Sequence, residues 1–115
     1  MDPEKKMEEV SRVMQEATKD NKEFMNSFMG LVQNTMMPGS LSLKHKELIA
    51  LALSMAARCE WCISYHVKSA LDAGATKKEL METGYVTVLM YGSQALMEMN
   101  SLIDAIEKFD KKMKN

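Results

Sequence analysis

Two cysteines and a histidine within one short stretch are the residues of this chain best suited to chemistry. Cys59 and Cys62 are the only cysteines, and His66 follows four residues after the second. In a helix, these offsets place the two sulfurs and the imidazole on one stripe. A dithiol beside an acid–base group can form a thiolate, attack a peroxide or a disulfide, and then close into its own disulfide.

A thiolate here needs stabilisation, because a cysteine with a pKa of about 8.5 is mostly protonated at neutral pH. His66 lies one helical turn beyond Cys62, within hydrogen-bonding reach. If Cys59 begins the helix, free amide N–H groups and the helix dipole favour negative charge on its sulfur. The positive charge of the neighbouring Arg58 could also favour a thiolate on Cys59, or Arg58 could be an ordinary surface arginine.

Glu47 is the carboxylate that could assist the histidine, under one structural condition. It precedes Cys59 by 12 residues, which is about 18 Å along one continuous helix. The acid can approach His66 only if the chain turns between Ala56 and Cys59, so that two helices cross. No glycine or proline marks such a turn, and the alternative is a first-turn glutamate that serves the helix dipole.

The elements that must position these residues are all predicted to be helices. Apolar spacing, caps and breakers divide the chain into segments at residues 4–18, 21–33, 42–58, 59–73, 77–95 and 96–109. Pro38-Gly39 is the clearest breaker, and Ser42 is a suitable cap after it. Thr76 and Glu79 have the spacing of a capping box. No strand is expected, so the fold class is all-α with about five to six helices.

The third segment is expected to be the central element. From Leu48 to Ala57 its only polar side chain is Ser54, and a helix that is apolar all round is buried on all sides. Tyr65, next to the histidine on the fourth segment, is expected to point about 100° away from the cysteine–histidine stripe.

Three glycines carry structural predictions. Gly74 is expected just beyond the end of the fourth helix, where a left-handed residue closes many helices. Gly84 and Gly92 lie on nearly one face of the fifth segment. They would allow another backbone to approach closely, or one of them marks a kink.

Composition limits the classes of function. A length of 115 residues fits one domain, residues 1–115, and a hydrophobic content of 46% is enough for a packed core. A net charge of −1 makes nucleic acid an unsuitable partner. The longest nearly apolar run, residues 48–57, is too short to cross a bilayer. The charged N-terminus lacks an apolar signal region, so a cytoplasmic location is expected. The 13 methionines are expected to fill the core and a subunit interface.

Three motifs together resemble the carboxymuconolactone decarboxylase superfamily, and within it the AhpD-like alkyl hydroperoxidase branch. They are Glu47-Leu48-Ile49-Ala50-Leu51-Ala52, Cys59-x-x-Cys62-x-x-x-His66 and Ala73-Gly74-Ala75-Thr76-x-x-Glu79-Leu80. The resemblance covers roughly residues 41–92. It implies an all-α fold in which Glu47 and His66 relay protons for the Cys59–Cys62 pair.

The activity that the resemblance implies is that of an antioxidant thiol-dependent peroxidase, or disulfide oxidoreductase, of the peroxiredoxin type. Such an enzyme reduces a hydroperoxide and is reduced again by a dithiol partner, with no bound organic cofactor or metal. Cys59 is expected to attack and Cys62 to resolve, although the reverse order stays open. The resemblance also suggests a homo-oligomer, a trimer or hexamer. The apolar stripes of the terminal helices point the same way.

One departure from the resemblance lies between the two cysteines. Some members of the branch carry a second histidine there, whereas this chain has Glu60 and Trp61. A further proton shuttle from that ring is therefore absent. Trp61 could shield the disulfide, bind an apolar substrate or pack at an interface.

Three other functions remain as alternatives. The first is the decarboxylase branch of the superfamily, whose lactone chemistry does not require a dithiol. The second is a zinc site with Cys59, Cys62 and His66 as ligands and Glu47 or His45 as the fourth. The third is a non-enzymatic helical assembly module. A thioredoxin-like fold is disfavoured, because no strand precedes the cysteines and both prolines lie upstream of them.

Overall fold

The computed structural model describes residues 1–114, and over them the chain is all-helical. The helices are α1 (Pro3–Asp20), α2 (Lys22–Met36), α3 (Leu43–Ala56), α4 (Glu60–Asp72), α5 (Lys77–Tyr91) and α6 (Ser93–Phe109), followed by a short 3₁₀ turn (Lys111–Lys114). No strand occurs in this part of the chain. The prediction of an all-α fold with about five to six helices is confirmed.

The helix starts predicted at Ser42 and Thr76 are present with their capping bonds, whereas α6 begins at Ser93 instead of residue 96 and has no side-chain cap. Ser42 Oγ accepts the backbone N–H of His45 at 3.1 Å. At α5 both bonds of the capping box form: Glu79 N–H donates to Thr76 Oγ1 at 3.2 Å, and Thr76 N–H donates to Glu79 Oε1 at 2.9 Å. Lys44 Nζ lies 2.9 Å from Glu79 Oε2 and thereby ties the first turn of α3 to that of α5.

The core lies where α3, α4, α5 and α6 pack together, while α1 packs against α4 and α6 and α2 contacts mainly α1. Its fully buried apolar side chains are Leu51, Met55, Ile63, Val67, Ala70, Leu80, Leu102, Ala105 and Ile106. They come from the four consecutive helices α3 to α6. None of the helices described over residues 1–114 is both long and apolar enough to cross a bilayer.

The two glycines of the fifth segment have different roles. A Cβ on Gly84 would lie 2.5 Å from Met99 Sδ and 2.9 Å from Leu102 Cδ2, so this glycine lets α5 approach α6 closely. Gly92 has φ +77° and separates α5 from α6. The helix predicted to continue to residue 95 therefore ends at Tyr91.

The prediction that α3 is buried on all sides is wrong. Its inner face packs against α4, α5 and α6, but Ile49 is 48% and Leu53 63% exposed. These two residues are four apart and share the outer face. Apolar composition shows that a helical face is suited to pack against another apolar surface. It does not show that the contact is made within the same chain.

Candidate redox site

The turn between α3 and α4 positions the site. Cys59 N–H donates to the Ser54 carbonyl at 3.0 Å, and Arg58 N–H donates to the Met55 carbonyl at 3.1 Å. This is the pair of bonds of a Schellman motif, in which the residue after the cap is left-handed. That residue is Arg58, with φ +57°. The chain thus makes the turn on which the Glu47 hypothesis depended, although α3 ends at Ala56 rather than near residue 58.

The same motif ends α4 with a glycine in the left-handed position. Ala75 N–H donates to the Ala70 carbonyl at 2.9 Å, and Gly74, with φ +97°, occupies the place that Arg58 holds after α3. In left-handed backbone a Cβ lies close to the following carbonyl oxygen. Glycine has no Cβ and avoids this clash, whereas arginine does not. The turn that leads into the cysteines therefore carries a steric strain that the other turn lacks.

Cys59 is the cap of α4, as the motif spacing predicted. Its Sγ accepts the backbone N–H of Cys62 at 3.1 Å, so the sulfur sits where free amides of the first turn converge. The two cysteines are joined as a disulfide, with their Cα atoms 5.1 Å apart. Both are partly exposed. An amide donor aimed at Cys59 Sγ would equally stabilise a thiolate there after reduction.

Glu47 and His66 meet across the α3–α4 contact. Glu47 Oε1 lies 2.7 Å from His66 Nδ1, and the carboxylate side chain is only 8% exposed, against 24% for the imidazole. A buried carboxylate without a partner is costly, and the histidine supplies that partner. With Glu47 ionised, the ring donates from Nδ1, which leaves Nε2 as the nitrogen that exchanges protons with other groups.

An apolar groove of about 320 Å³ opens beside the pair. Side chains of α1, α2 and α4 form its walls. It is lined by Val10, Val13, Met14, Phe28, Met29, Val32, Trp61, Cys62, Tyr65 and His66. Of the four predicted site residues, Cys62 and His66 reach this groove. Among its described lining residues there is no aspartate, glutamate, lysine or arginine.

Trp61 is tied to α1 on one side of the groove. Its Nε1–H donates to Glu9 Oε1 at 3.1 Å, and Lys6 Nζ lies 4.1 Å from the centre of an indole ring. Lys6 and Glu9 are themselves 4.0 Å apart. The cation over the ring and the carboxylate at its N–H hold the indole from two directions.

The other sequence candidates have different places. His45 is exposed, and its Nδ1 lies 2.8 Å from Ser42 Oγ at the start of α3, so it takes no part in the site. Tyr65 lies about 100° from His66 around α4, as expected, but it is still part of the site. Its ring meets that of His66 edge-on with centres 5.1 Å apart, and it lines the groove. The groove is wide enough to span residues 100° apart on α4.

The wall that α1 and α2 contribute was not predicted from the sequence. The helical spacing of apolar residues in α1 and α2 does predict an apolar face on each helix. It does not identify what that face packs against. Over residues 1–114, no group of three or more histidine, cysteine, aspartate or glutamate side chains is arranged to hold a metal ion.

The chain is similar to proteins of one known family. A family model described as carboxymuconolactone decarboxylase matches residues 22–105, which include the predicted core of 41–92. A carboxymuconolactone decarboxylase family protein from Legionella pneumophila, solved in its apo form, has a TM-score of 0.91 and 33% identity. That likeness covers 95% of this chain and 97% of the other.

Two further relatives extend the comparison. A Thermotoga maritima structure of the same family, for which a part in the antioxidative response has been suggested, has a TM-score of 0.80 and 27% identity, with 93% and 92% of the two chains covered. An uncharacterised protein of the cox locus of Paracoccus denitrificans is 29% identical over 90% of this chain and 94% of its own. This chain therefore belongs to the carboxymuconolactone decarboxylase family.

Proposed function

We propose that this protein is a thiol-dependent peroxidase that reduces hydroperoxides with its Cys59/Cys62 dithiol and recovers electrons from a dithiol reductant. One observation carries the proposal: the Glu47–His66 pair, 2.7 Å apart, stands beside a groove that Cys62 also lines. A redox sulfur, a proton carrier and a substrate-sized space are thus brought together. The antioxidative role suggested for the Thermotoga maritima relative supports the same assignment.

The groove supports an order of attack opposite to the one that the sequence favours. The position of Cys59 at the start of the helix favours it as the attacking thiol. Cys62 is nevertheless the cysteine that lines the groove together with His66. We therefore assign the attack on the peroxide to Cys62 and the resolving step to Cys59. The amide contact at Cys59 Sγ supports its service as a stabilised thiolate for the second step.

The first step breaks the O–O bond. The Cys62 thiolate attacks the terminal oxygen of R–O–O–H, an S–O bond forms, and the electron pair of the O–O bond leaves on the alkoxide. His66, which has taken the proton of the Cys62 thiol, gives it to that oxygen, so the product is the alcohol and Cys62 becomes a sulfenic acid. Glu47 Oε1, 2.7 Å from Nδ1, orients the ring so that its other nitrogen, Nε2, makes this transfer.

The second step closes the disulfide. Cys59 attacks the sulfenic sulfur, an S–S bond forms, and the hydroxyl group leaves as water after it takes a proton. In total, one hydroperoxide and two thiols give one alcohol, one water and one disulfide. Two exchange steps with an external dithiol then restore both thiols, and that dithiol leaves as a disulfide.

The test is turnover with a dithiol reductant, followed by trapping of the intermediate. Cys59→Ser and Cys62→Ser should each abolish turnover. With Cys59→Ser, peroxide should leave a sulfenic acid on Cys62 that a dimedone probe labels in one turnover. His45→Ala, at an exposed residue outside the site, should keep full activity. Turnover in either serine variant would reject the dithiol mechanism. Rapid labelling of Cys59 in Cys62→Ser, with Cys59→Ser inert, would reverse the order.

A further inference from the structure

We infer that Tyr65 is a positioning residue for His66. Its ring packs edge-on against the imidazole and thereby sets the tilt of a ring that Glu47 holds at only one atom. The inference is carried by the juxtaposition of three groups, which are the Tyr65 ring, the His66 imidazole and the Glu47 carboxylate. Its expected effect on turnover rests on the proposed function, since it concerns the proton that His66 transfers.

The hydrogen bond to Glu47 does not by itself fix the plane of the imidazole. Glu47 Oε1 lies 2.7 Å from His66 Nδ1, which restrains one atom of the ring. The χ2 torsion of histidine has broad minima, and a carboxylate oxygen accepts hydrogen bonds over a wide range of directions. The ring can therefore tilt while this hydrogen bond is kept. Each tilt moves Nε2, the nitrogen that exchanges protons with other groups.

Tyr65 supplies the second restraint on the imidazole. The centres of the two rings lie 5.1 Å apart and their planes meet at 82°, which is the edge-to-face geometry that aromatic pairs prefer. Among the described side chains of residues 1–112, Glu47 is the one hydrogen-bond partner of the imidazole, and Tyr65 is the one aromatic ring paired with it. A change in the tilt of the imidazole would lose the contact between the rings.

This restraint matters because the imidazole is open on the side of the groove. The His66 side chain is 24% exposed, and it lines the groove together with Tyr65 and Cys62. A groove of about 320 Å³ leaves the ring room to turn into it. Cys62 and His66 are four residues apart on α4, so they share one face of that helix. By limiting the tilt, Tyr65 increases the fraction of time in which Nε2 is oriented for proton transfer on that face.

The first experiment observes the imidazole by NMR spectroscopy of the oxidised protein, which requires no turnover. The wild-type protein should show nuclear Overhauser contacts between the ring protons of Tyr65 and those of His66. Tyr65→Leu should shift and broaden the His66 ring signals, whereas Tyr65→Phe should keep the contacts. The ring signals of the exposed His45 should be the same in all variants. The wild-type contacts test the juxtaposition even if Tyr65→Leu does not fold.

The second experiment mixes the reduced protein with hydrogen peroxide and follows the loss of free thiols. Tyr65→Leu should lower the limiting rate about two- to tenfold, the factor that one aromatic pair can contribute to holding an orientation. The half-saturating peroxide concentration should stay unchanged, since the contact acts on proton transfer and not on binding. Tyr65→Phe should restore the wild-type rate. Tyr85→Leu is the matched control and should keep that rate, because Tyr85 is 55% exposed on α5 and lies outside the groove.

Several results would overturn the inference and leave the proposed function standing. They are the absence of contacts between the two rings in the wild-type protein, and unchanged His66 signals or an unchanged rate in a folded Tyr65→Leu protein. An equal loss of rate in Tyr65→Phe and Tyr65→Leu would assign the effect to the hydroxyl group and also overturn it. A wild-type protein that shows the ring contacts, and the change of His66 signals in Tyr65→Leu, without reacting with peroxide would support the positioning of His66. In that case only the proposed function fails.

Discussion

Arg58→Gly is expected to stabilise the protein, because the residue before the redox pair is a non-glycine in left-handed backbone. Its φ of +57° is held by the two bonds of the Schellman motif, from Arg58 to Met55 and from Cys59 to Ser54. Glycine adopts this conformation without the clash between Cβ and the following carbonyl oxygen.

The magnitude follows from two opposing terms. The left-handed conformation costs a non-glycine residue about 1–2 kcal/mol, and glycine gives back part of that gain because it is more flexible in the unfolded chain. The net gain should be about 0.5–1 kcal/mol. For a domain of 115 residues this corresponds to a rise in Tm of roughly 2–6 °C.

The assay is thermal and urea unfolding of the oxidised and the reduced protein, followed by circular dichroism. Gly74→Ala is the mirror-image control. Gly74 holds the equivalent place after α4 with φ +97°, and a Cβ there would meet nothing within 4 Å, so only the backbone term changes. This variant should lose about 1–2 kcal/mol. Arg58→Ala separates the side chain from the backbone and should be less stable than Arg58→Gly.

Equal stability of Arg58→Gly and Arg58→Ala would refute backbone strain at Arg58. Both variants lose the guanidinium, and only alanine keeps the free-energy cost of a Cβ in left-handed backbone. A decrease in stability for Arg58→Gly, with Gly74→Ala destabilised as expected, would instead show that the arginine side chain makes a contribution larger than the strain.

Four further changes have defined outcomes. Glu47→Gln should lower peroxide turnover about 10–100-fold with an unchanged circular dichroism spectrum, since the amide oxygen still accepts from His66 Nδ1 but can no longer take part in the proton relay. The Lys44 contact and the Thr76 N–H hold the pKa of Glu79 below its usual 4.5. The stability it contributes is therefore present above that pH and lost as pH falls below it. Glu79→Gln should flatten this acid-side dependence of the urea midpoint. Gly84→Ala should cost about 1–3 kcal/mol in urea unfolding, because its Cβ would overlap Met99 Sδ. Leu89→Lys should dissociate the predicted homo-oligomer in light scattering after gel filtration, because Leu89 is a highly exposed apolar residue of α5.

Two of these changes have a control variant within the chain, and the other two have a result that would refute them. Full peroxide turnover in Glu47→Gln would reject the relay. Glu82→Gln, at an exposed carboxylate of α5, should leave the acid-side dependence unaltered, and an equal effect from it would contradict the assignment to Glu79. Gly30→Ala should not destabilise, since a Cβ there would meet nothing within 4 Å in α2. A monomeric wild-type protein would refute the oligomer prediction without any variant.

Local chemistry in the sequence predicted the helix starts well. Thr76 and Glu79 carry both halves of a capping box in four residues, and Ser42 follows a breaker, so each start depends on atoms close in sequence. The α3–α4 turn is the contrary case. Its left-handed residue is Arg58, and arginine carries no preference for that conformation, so the turn is imposed by the packing of two helices.

Faces were harder to predict than elements. The outer face of α3, at Ile49 and Leu53, has the composition of a core but is exposed. The apolar residues of α1 and α2 form a groove wall instead of a closed interior. In each case the spacing predicted an apolar face correctly, and what covers a face depends on contacts distant in sequence. The contact between Glu47 and His66 requires α3 and α4 to cross. Residue spacing alone did not require that crossing, and the family resemblance implied it.

The groove draws on α1, which ends at Asp20, before the family match begins at residue 22. The sulfurs, the imidazole and the buried acid all lie inside the matched region, while Glu9 and Val10 lie outside it. The proposed redox residues thus lie within the matched region, whereas one wall of the groove beside them comes from the helix ahead of it. A chimera that carries a relative's leading helix should therefore keep the Glu47–His66 contact and the Cys59–Cys62 pair while it replaces one wall of the groove.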